Sequence, residues 1–179
     1  LVIGVGGSAT TDGGAGLMQA LGASLRDIDG QELTPGGGAL ASLDVLDLSG
    51  LGARLDEVQI FVACDVTNPL TGSNGAASVY GPQKGASEEQ VSLLDQNLQK
   101  LAISVERELN VSRGTYADAP GAGAAGGLGF ACLSVLGATM RPGTEVCFEL
   151  TGFTQKLPAA DIVITGEGKL DTQTLQGKG

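Results

Sequence analysis

Fourteen of the 30 glycines in this chain fall in four short windows: six in residues 4–16, two in 72–75, four in 121–127 and two in 166–168. Glycine reaches backbone conformations closed to other residues, so each window marks a sharp turn or a close approach to the backbone. The glycines keep no period of three, and 42% of the chain is apolar against 17% charged. Neither a collagen helix nor a disordered tract fits that pattern. A chain of 179 residues can bury a real core as one domain of ordinary size, with the edge of a second. Four Phe, two Tyr and no Trp leave that core to Ala, Val, Leu and Ile.

Between the glycine windows, strand and helix patterns alternate. Leu1 to Val5 reads as a buried strand, followed by a glycine loop and a short helix from Asp12 to Leu21 that stops at Gly22. Ala23 to Leu33 carries an Asp29-Gly30 turn signal and predicts a hairpin. Leu43 to Leu48 and Gln59 to Cys64 read as further strands. The helix from Ser87 to Asn110 is the clearest element: Ser87 to Gln90 forms a capping box, and Val91, Leu94, Leu98, Leu101, Val105 and Leu109 recur every three or four residues. A small-residue helix is expected from Ala124 to Leu136, Thr144 to Leu157 fits helix or strand, and Asp161 to Thr165 reads as a strand. This alternation predicts an α/β fold with a mixed sheet and helices. Both ends have the look of cuts through a longer protein.

Several chemistries are excluded outright. Without histidine, Ser-His-Asp and Cys-His catalysis and His-ligated zinc or haem are gone. Cys64, Cys132 and Cys147 sit in apolar runs without a CxxC pair and read as buried, reduced thiols. A net charge of −10 argues against nucleic acid or an anionic membrane as partner. No apolar run approaches the ~20 residues of a membrane span, and no signal peptide is evident, so a cytoplasmic protein is expected. An acidic protein can still bind phosphate through backbone N–H groups, a few placed cations and a carboxylate-held divalent ion.

Four segments carry the candidate chemistry. GVGGSATTDGGAG (4–16) lies between a strand and a helix, where Gly6, Gly7, Ser8 and Thr10 offer donors to an anion. Asp12 caps the following helix or faces the bound group. In CDVTNPL (64–70), past a strand end, Asp65 reads as a metal ligand, a base or a turn-former, beside Asn68; Lys84, between glycines, reaches an anion or stands in solvent. GAGAAGG (121–127), with Gly121, Gly123 and Gly126, is a second anion cradle or a close-packing run. In GEGKLD (166–171), Glu167 and Asp171 suit Mg²⁺ or base work and Lys169 suits phosphate. Two GxGxx[GA] matches, at Gly4 to Ala9 and Gly121 to Gly126, keep a dinucleotide site in view, but the second follows no strand.

Taken together, IGVGGSATTDGGAGLMQALGA (3–23), FVACDVTNPLTGSNGAASVYGPQKGA (61–86), PGAGAAGGLGF (120–130) and ADIVITGEGKLDTQTLQGKG (160–179) resemble the bacterial glycerate kinase family. The resemblance implies ATP-dependent phosphorylation of D-glycerate to 2-phosphoglycerate with Mg²⁺. It also implies a two-domain architecture in which one domain is inserted into a Rossmann-like one. Residues 1–159 then correspond mainly to the inserted domain and 160–179 to the return. In that frame Asp65, Glu167, Asp171 and Lys169 are catalytic candidates, with Asp65 and Asp171 as metal ligands. Gly6, Gly7, Ser8, Thr10, Asp12, Asn68, Lys84, Gly121, Gly123 and Gly126 are the phosphate or substrate contacts. A small-molecule substrate is expected as partner, and homo-oligomerisation is left open. Two other readings stay open: a dinucleotide-binding oxidoreductase domain, and a catalytically silent fragment.

Overall fold

The computed structural model describes residues 1–52, 55, 57–164 and 166. Its centre is a parallel sheet of three strands, β1 (Val2–Gly4), β4 (Phe61–Ala63) and β5 (Thr139–Arg141), with β4 in the middle. Ile3 pairs with Val62, and Val62 with Met140, so the C-terminal ends of all three strands lie along one edge. Parallel strands need long crossovers. The first crossover holds α1 (Ala15–Ala20) and an antiparallel pair, β2 (Ser24–Arg26) with β3 (Val45–Asp47). The second holds α2 (Ala76–Tyr80), α3 (Glu88–Glu108) and α4 (Ala124–Ser134). After β5 come α5 (Gly143–Thr151) and α6 (Phe153–Lys156).

The α3 stripe does what its spacing predicts. Leu98, Leu101 and Val105 are fully buried, and they meet Met18 of α1 and Phe130 of α4 in the larger hydrophobic cluster. The Ser87 hydroxyl accepts from the Gln90 N–H and the Gln90 side chain accepts from the Ser87 N–H, closing the capping box. A smaller cluster, Ile60, Val62, Cys132 and Ala138, lies against the parallel sheet.

Two local expectations are corrected and two are sharpened. The hairpin at Ala23 to Leu33 forms but is short: the Asp27 N–H donates to the Gln31 carbonyl and the Leu33 N–H to the Leu25 carbonyl around an isolated antiparallel bridge between Arg26 and Glu32, while the full strand partner of Ser24–Arg26 is Val45–Asp47. The longer-range pairing is the more extensive one and seats Leu25 and Leu46 opposite each other in the core. Asp161 to Ile164 form no strand: Ile162 and Ile164 are exposed, and an apolar run cannot become a strand without a neighbour to pair with. Thr165 lies outside the described residues. Of the three thiols only Cys132 is buried; Cys64 is half-buried and Cys147 is exposed, because α5 buries Val146 alone. The ambiguous run from Thr144 to Leu157 is helical, in α5 and α6 and a closing 3-10 turn.

Candidate functional site

The loops that leave β1, β4 and β5 gather at the C-terminal edge of the parallel sheet, the edge at which open α/β sheets hold ligands. Sheet-like bonding continues into them: the Val5 N–H donates to the Ala63 carbonyl at 3.2 Å and the Cys64 N–H to the Arg141 carbonyl at 2.9 Å. Past β1, Gly6 and Gly7 are exposed, and Gly7 turns the chain with φ +62°, a conformation that favours glycine.

Lys84 reaches back to this loop across 76 residues of sequence, donating to Ser8 Oγ at 3.0 Å and to the Thr10 carbonyl at 2.6 Å. Burial pushes its pKa below the usual lysine value, and the nearby Asp12 carboxylate partly offsets that. Among the described residues Lys84 makes no ion pair; Arg141 with Glu149 does. Lys84 is thus a partly desolvated cation held by neutral acceptors, with the Asp12 carboxylate nearby. Asp12 itself is buried, and its two oxygens accept from the Gly14 N–H at 3.0 Å and the Gly16 N–H at 3.1 Å. It therefore ties down the start of α1 while supplying negative charge beside Lys84.

Two cavities meet at Lys84. One, of about 140 Å³, is bounded by Gly6, Gly7, Ser8, Val66, Tyr80 and Lys84 among others. The other, of about 760 Å³, opens between residues 9–12, the loop 35–38 and the first turns of α3. Tyr80 donates from its hydroxyl to Asn68 Oδ1 at 2.7 Å, and Asn68 Nδ2 donates to the Asn74 carbonyl at 2.8 Å. Burial raises the Tyr80 pKa, and the neighbouring Cys64 adds to the shift, so the phenol stays protonated and able to donate.

The remaining sequence candidates are placed differently. Asp65 is exposed and its Oδ1 accepts from the Gly143 N–H at 2.7 Å, so it links the end of β4 to the start of α5. Gly121, Gly123 and Gly126 are buried. A methyl group at Gly123 would overlap the Pro69 carbonyl, and one at Gly126 would overlap the Thr10 carbonyl. The Gly13 N–H donates to the Gly126 carbonyl at 3.0 Å. The second glycine run thus lies against the first, and close approach accounts for its composition. Its helix also starts irregularly, with Ala125, Gly126 and Gly127 all left-handed. Glu167, Lys169 and Asp171 lie outside the described residues. No three His, Cys, Asp or Glu side chains gather into a possible metal site among the described residues. Mg²⁺ can be held by one or two carboxylates plus substrate phosphates, and Asp65 is the candidate ligand that the described residues offer.

Residues 1–179 match the sequence profile of the glycerate kinase family. The chain belongs to that family. It is 51% identical over 178 residues to a glycerate kinase of Bacillus subtilis (strain 168) and 49% identical to a glycerate 2-kinase of Escherichia coli (strain K12), covering 99% of this chain and 46% of each relative. A solved structure that carries the name glycerate kinase 2, from Salmonella typhimurium LT2, superposes with a TM-score of 0.85 at 49% identity, over 97% of this chain and 46% of that one. The chain therefore spans about half the length of these glycerate kinases.

Within this member of the glycerate kinase family, Tyr80 escaped the sequence reading. Its signal was present: it is one of two tyrosines in a chain poor in aromatics, and it stands four residues before Lys84, a spacing that puts two side chains on one side of a helical turn.

Proposed function

We propose that this chain forms part of an ATP-dependent glycerate kinase, which transfers the γ-phosphoryl group of ATP to the 2-hydroxyl of D-glycerate and releases ADP and 2-phosphoglycerate. Family membership supports this reading over a dinucleotide-binding oxidoreductase. The observation that carries it within the chain is Lys84, a half-buried ammonium facing two cavities and, among the described residues, bonded to a hydroxyl and a carbonyl.

Phosphoryl transfer asks a protein chiefly for positioning and for stabilisation of charge on the transferring oxygens. Lys84 supplies the positive charge, and Asp12 fixes the loop to which Lys84 is bonded. Gly6 and Gly7, both exposed, offer N–H donors to an anion at the sheet edge. As the bond between the γ-phosphorus and its bridging oxygen breaks, a new one forms to the glycerate hydroxyl, whose proton passes to a carboxylate. Asp65, Glu167 and Asp171 are the candidates for that proton. Mg²⁺ would neutralise charge on the nucleotide phosphates. No helix among the described residues is long and apolar enough to cross a membrane, and a cytoplasmic setting, where ATP is supplied, goes with this reading.

The test is ADP release coupled to a reporter enzyme, with ATP and D-glycerate supplied to the full-length enzyme. Lys84→Met should lower kcat/KM by about 10²-fold or more, as loss of a transition-state charge contact does. Unchanged turnover would remove Lys84 from the chemistry, and turnover with NAD but none with ATP would sink the kinase.

A further inference from the structure

The two cavities that share Lys84 differ in both size and lining. We infer that they divide the substrates: the three-carbon acid occupies the smaller cavity at the sheet edge, the nucleotide occupies the larger cleft, and Lys84 meets the phosphoryl group between them. This rests on the kinase reading and adds which ligand goes where, together with Tyr80 as a residue that selects the acid.

Size makes the first argument. Water takes ~30 Å³ in the liquid, so a cavity of about 140 Å³ holds only a handful of non-hydrogen atoms. A hydroxylated three-carbon acid fits that space and a purine nucleotide does not. The cleft of about 760 Å³ falls within the ~300–1,000 Å³ usual for larger small-molecule ligands.

Lining makes the second. The small cavity is walled by the Gly6 to Ser8 turn, Tyr80, Gln83 and Lys84 together with Val5, Val66 and Ala125. The glycine N–H groups and the Lys84 ammonium suit a carboxylate, and the Tyr80 oxygen, whose own proton goes to Asn68, can accept from a substrate hydroxyl. The Tyr80 ring is held in place by its bond to Asn68, which is itself anchored to the Asn74 carbonyl. The large cleft has a different character along its length. Leu93, 47% exposed, stands in its wall with Leu94 and Pro35, an apolar surface suited to a flat base. Thr10, Thr11, Asp12, Lys84 and Gln90 form its polar part; the hydroxyls and Lys84 suit phosphates, while both Asp12 oxygens are already engaged by the Gly14 and Gly16 N–H groups.

Steady-state kinetics in both substrates separate the outcomes. Gly38 borders the large cleft with helical φ −65° and open space where a side chain would go, and Leu93 is exposed, so Gly38→Leu and Leu93→Ser leave the core untouched. Both should raise KM for ATP about tenfold with KM for D-glycerate unchanged, the size of effect that altered fit in an apolar pocket gives. Tyr80→Phe, which keeps the ring, should raise KM for D-glycerate about tenfold or more with KM for ATP unchanged, as loss of a polar contact to a substrate does. The crossed pattern, or equal shifts in both constants in all three variants, overturns the division while leaving the kinase standing. Absence of glycerate phosphorylation by the unaltered full-length enzyme defeats the kinase reading and this division together. Calorimetric titration with a non-hydrolysable ATP analogue gives a second readout: Leu93→Ser should weaken it and Tyr80→Phe should not.

Discussion

Lys84 carries its charge into a half-buried place where Ser8, the Thr10 carbonyl and Asp12 surround it. Burial disfavours the ammonium, so its pKa in the folded protein lies below the ordinary lysine value, with Asp12 acting in the opposite direction. The sign of the pH effect follows. Any step that needs the charged form is fully available below the folded pKa and is lost as pH rises through it. Fold stability moves the other way in the window between the folded and unfolded values, where the unfolded chain binds the proton more tightly and stability rises with pH. The pH profile of kcat/KM for D-glycerate should therefore show an alkaline limb below the free-lysine value. Lys84→Arg keeps a cation charged above pH ~12, so it should lower the plateau yet carry that limb upward. A limb unmoved by this substitution would assign it to another group.

At the scale of elements, what could be read from the sequence divides by range. The α3 stripe and the Ser87 to Gln90 box are local patterns, and both appear as read. The turn at Ala23 to Leu33 is local and is present, but the full strand partner of β2 lies some twenty residues further on, and no local spacing reveals that. The same limit applies to Gly121, Gly123 and Gly126: their composition announces a close approach, but only the fold shows that the Thr10 and Pro69 carbonyls are what approaches. Glu106 was equally hidden, a charged residue next to an apolar stripe. It is buried, and it accepts from the Gly114, Tyr116 and Ala117 N–H groups at 2.8, 2.8 and 3.0 Å, pinning the loop after α3 to the helix itself. Glu106→Gln puts an amide donor against one of these N–H groups, so it should cost about 1–3 kcal/mol in denaturant unfolding; an unchanged midpoint would show that the loop holds without it. Asp65→Asn makes the contrasting case, since the amide oxygen can still accept from the Gly143 N–H. Stability should barely change, while kcat should fall ~10²-fold if the carboxylate takes the proton or binds Mg²⁺. Equal kcat would leave Asp65 as the link between β4 and α5 alone.

Across the whole molecule, the exposed Ile162 and Ile164 show that an apolar run records a capacity to be buried and not the surface that buries it. The core shows the converse, because one short helix serves two clusters. From α4, Phe130 and Ala131 enter the larger cluster with Met18 and Leu101, while the next residue, Cys132, enters the smaller one with Ile60 and Val62. Neither cluster can open without moving α4, so the two should melt as one unit. Cys132 provides a built-in probe of this: it is fully buried, and desolvation pushes its thiol pKa up to about 11, so it should react with a thiol reagent only when the core opens. In a urea titration, labelling of the Cys132 peptide, followed by mass spectrometry, should coincide with loss of the helical circular dichroism signal. Phe130→Ala removes the largest fully buried side chain among the described residues and should cost about 3–5 kcal/mol, shifting both transitions to lower urea together. Labelling of Cys132 that keeps its original midpoint while the helical signal moves would show that the two clusters unfold separately.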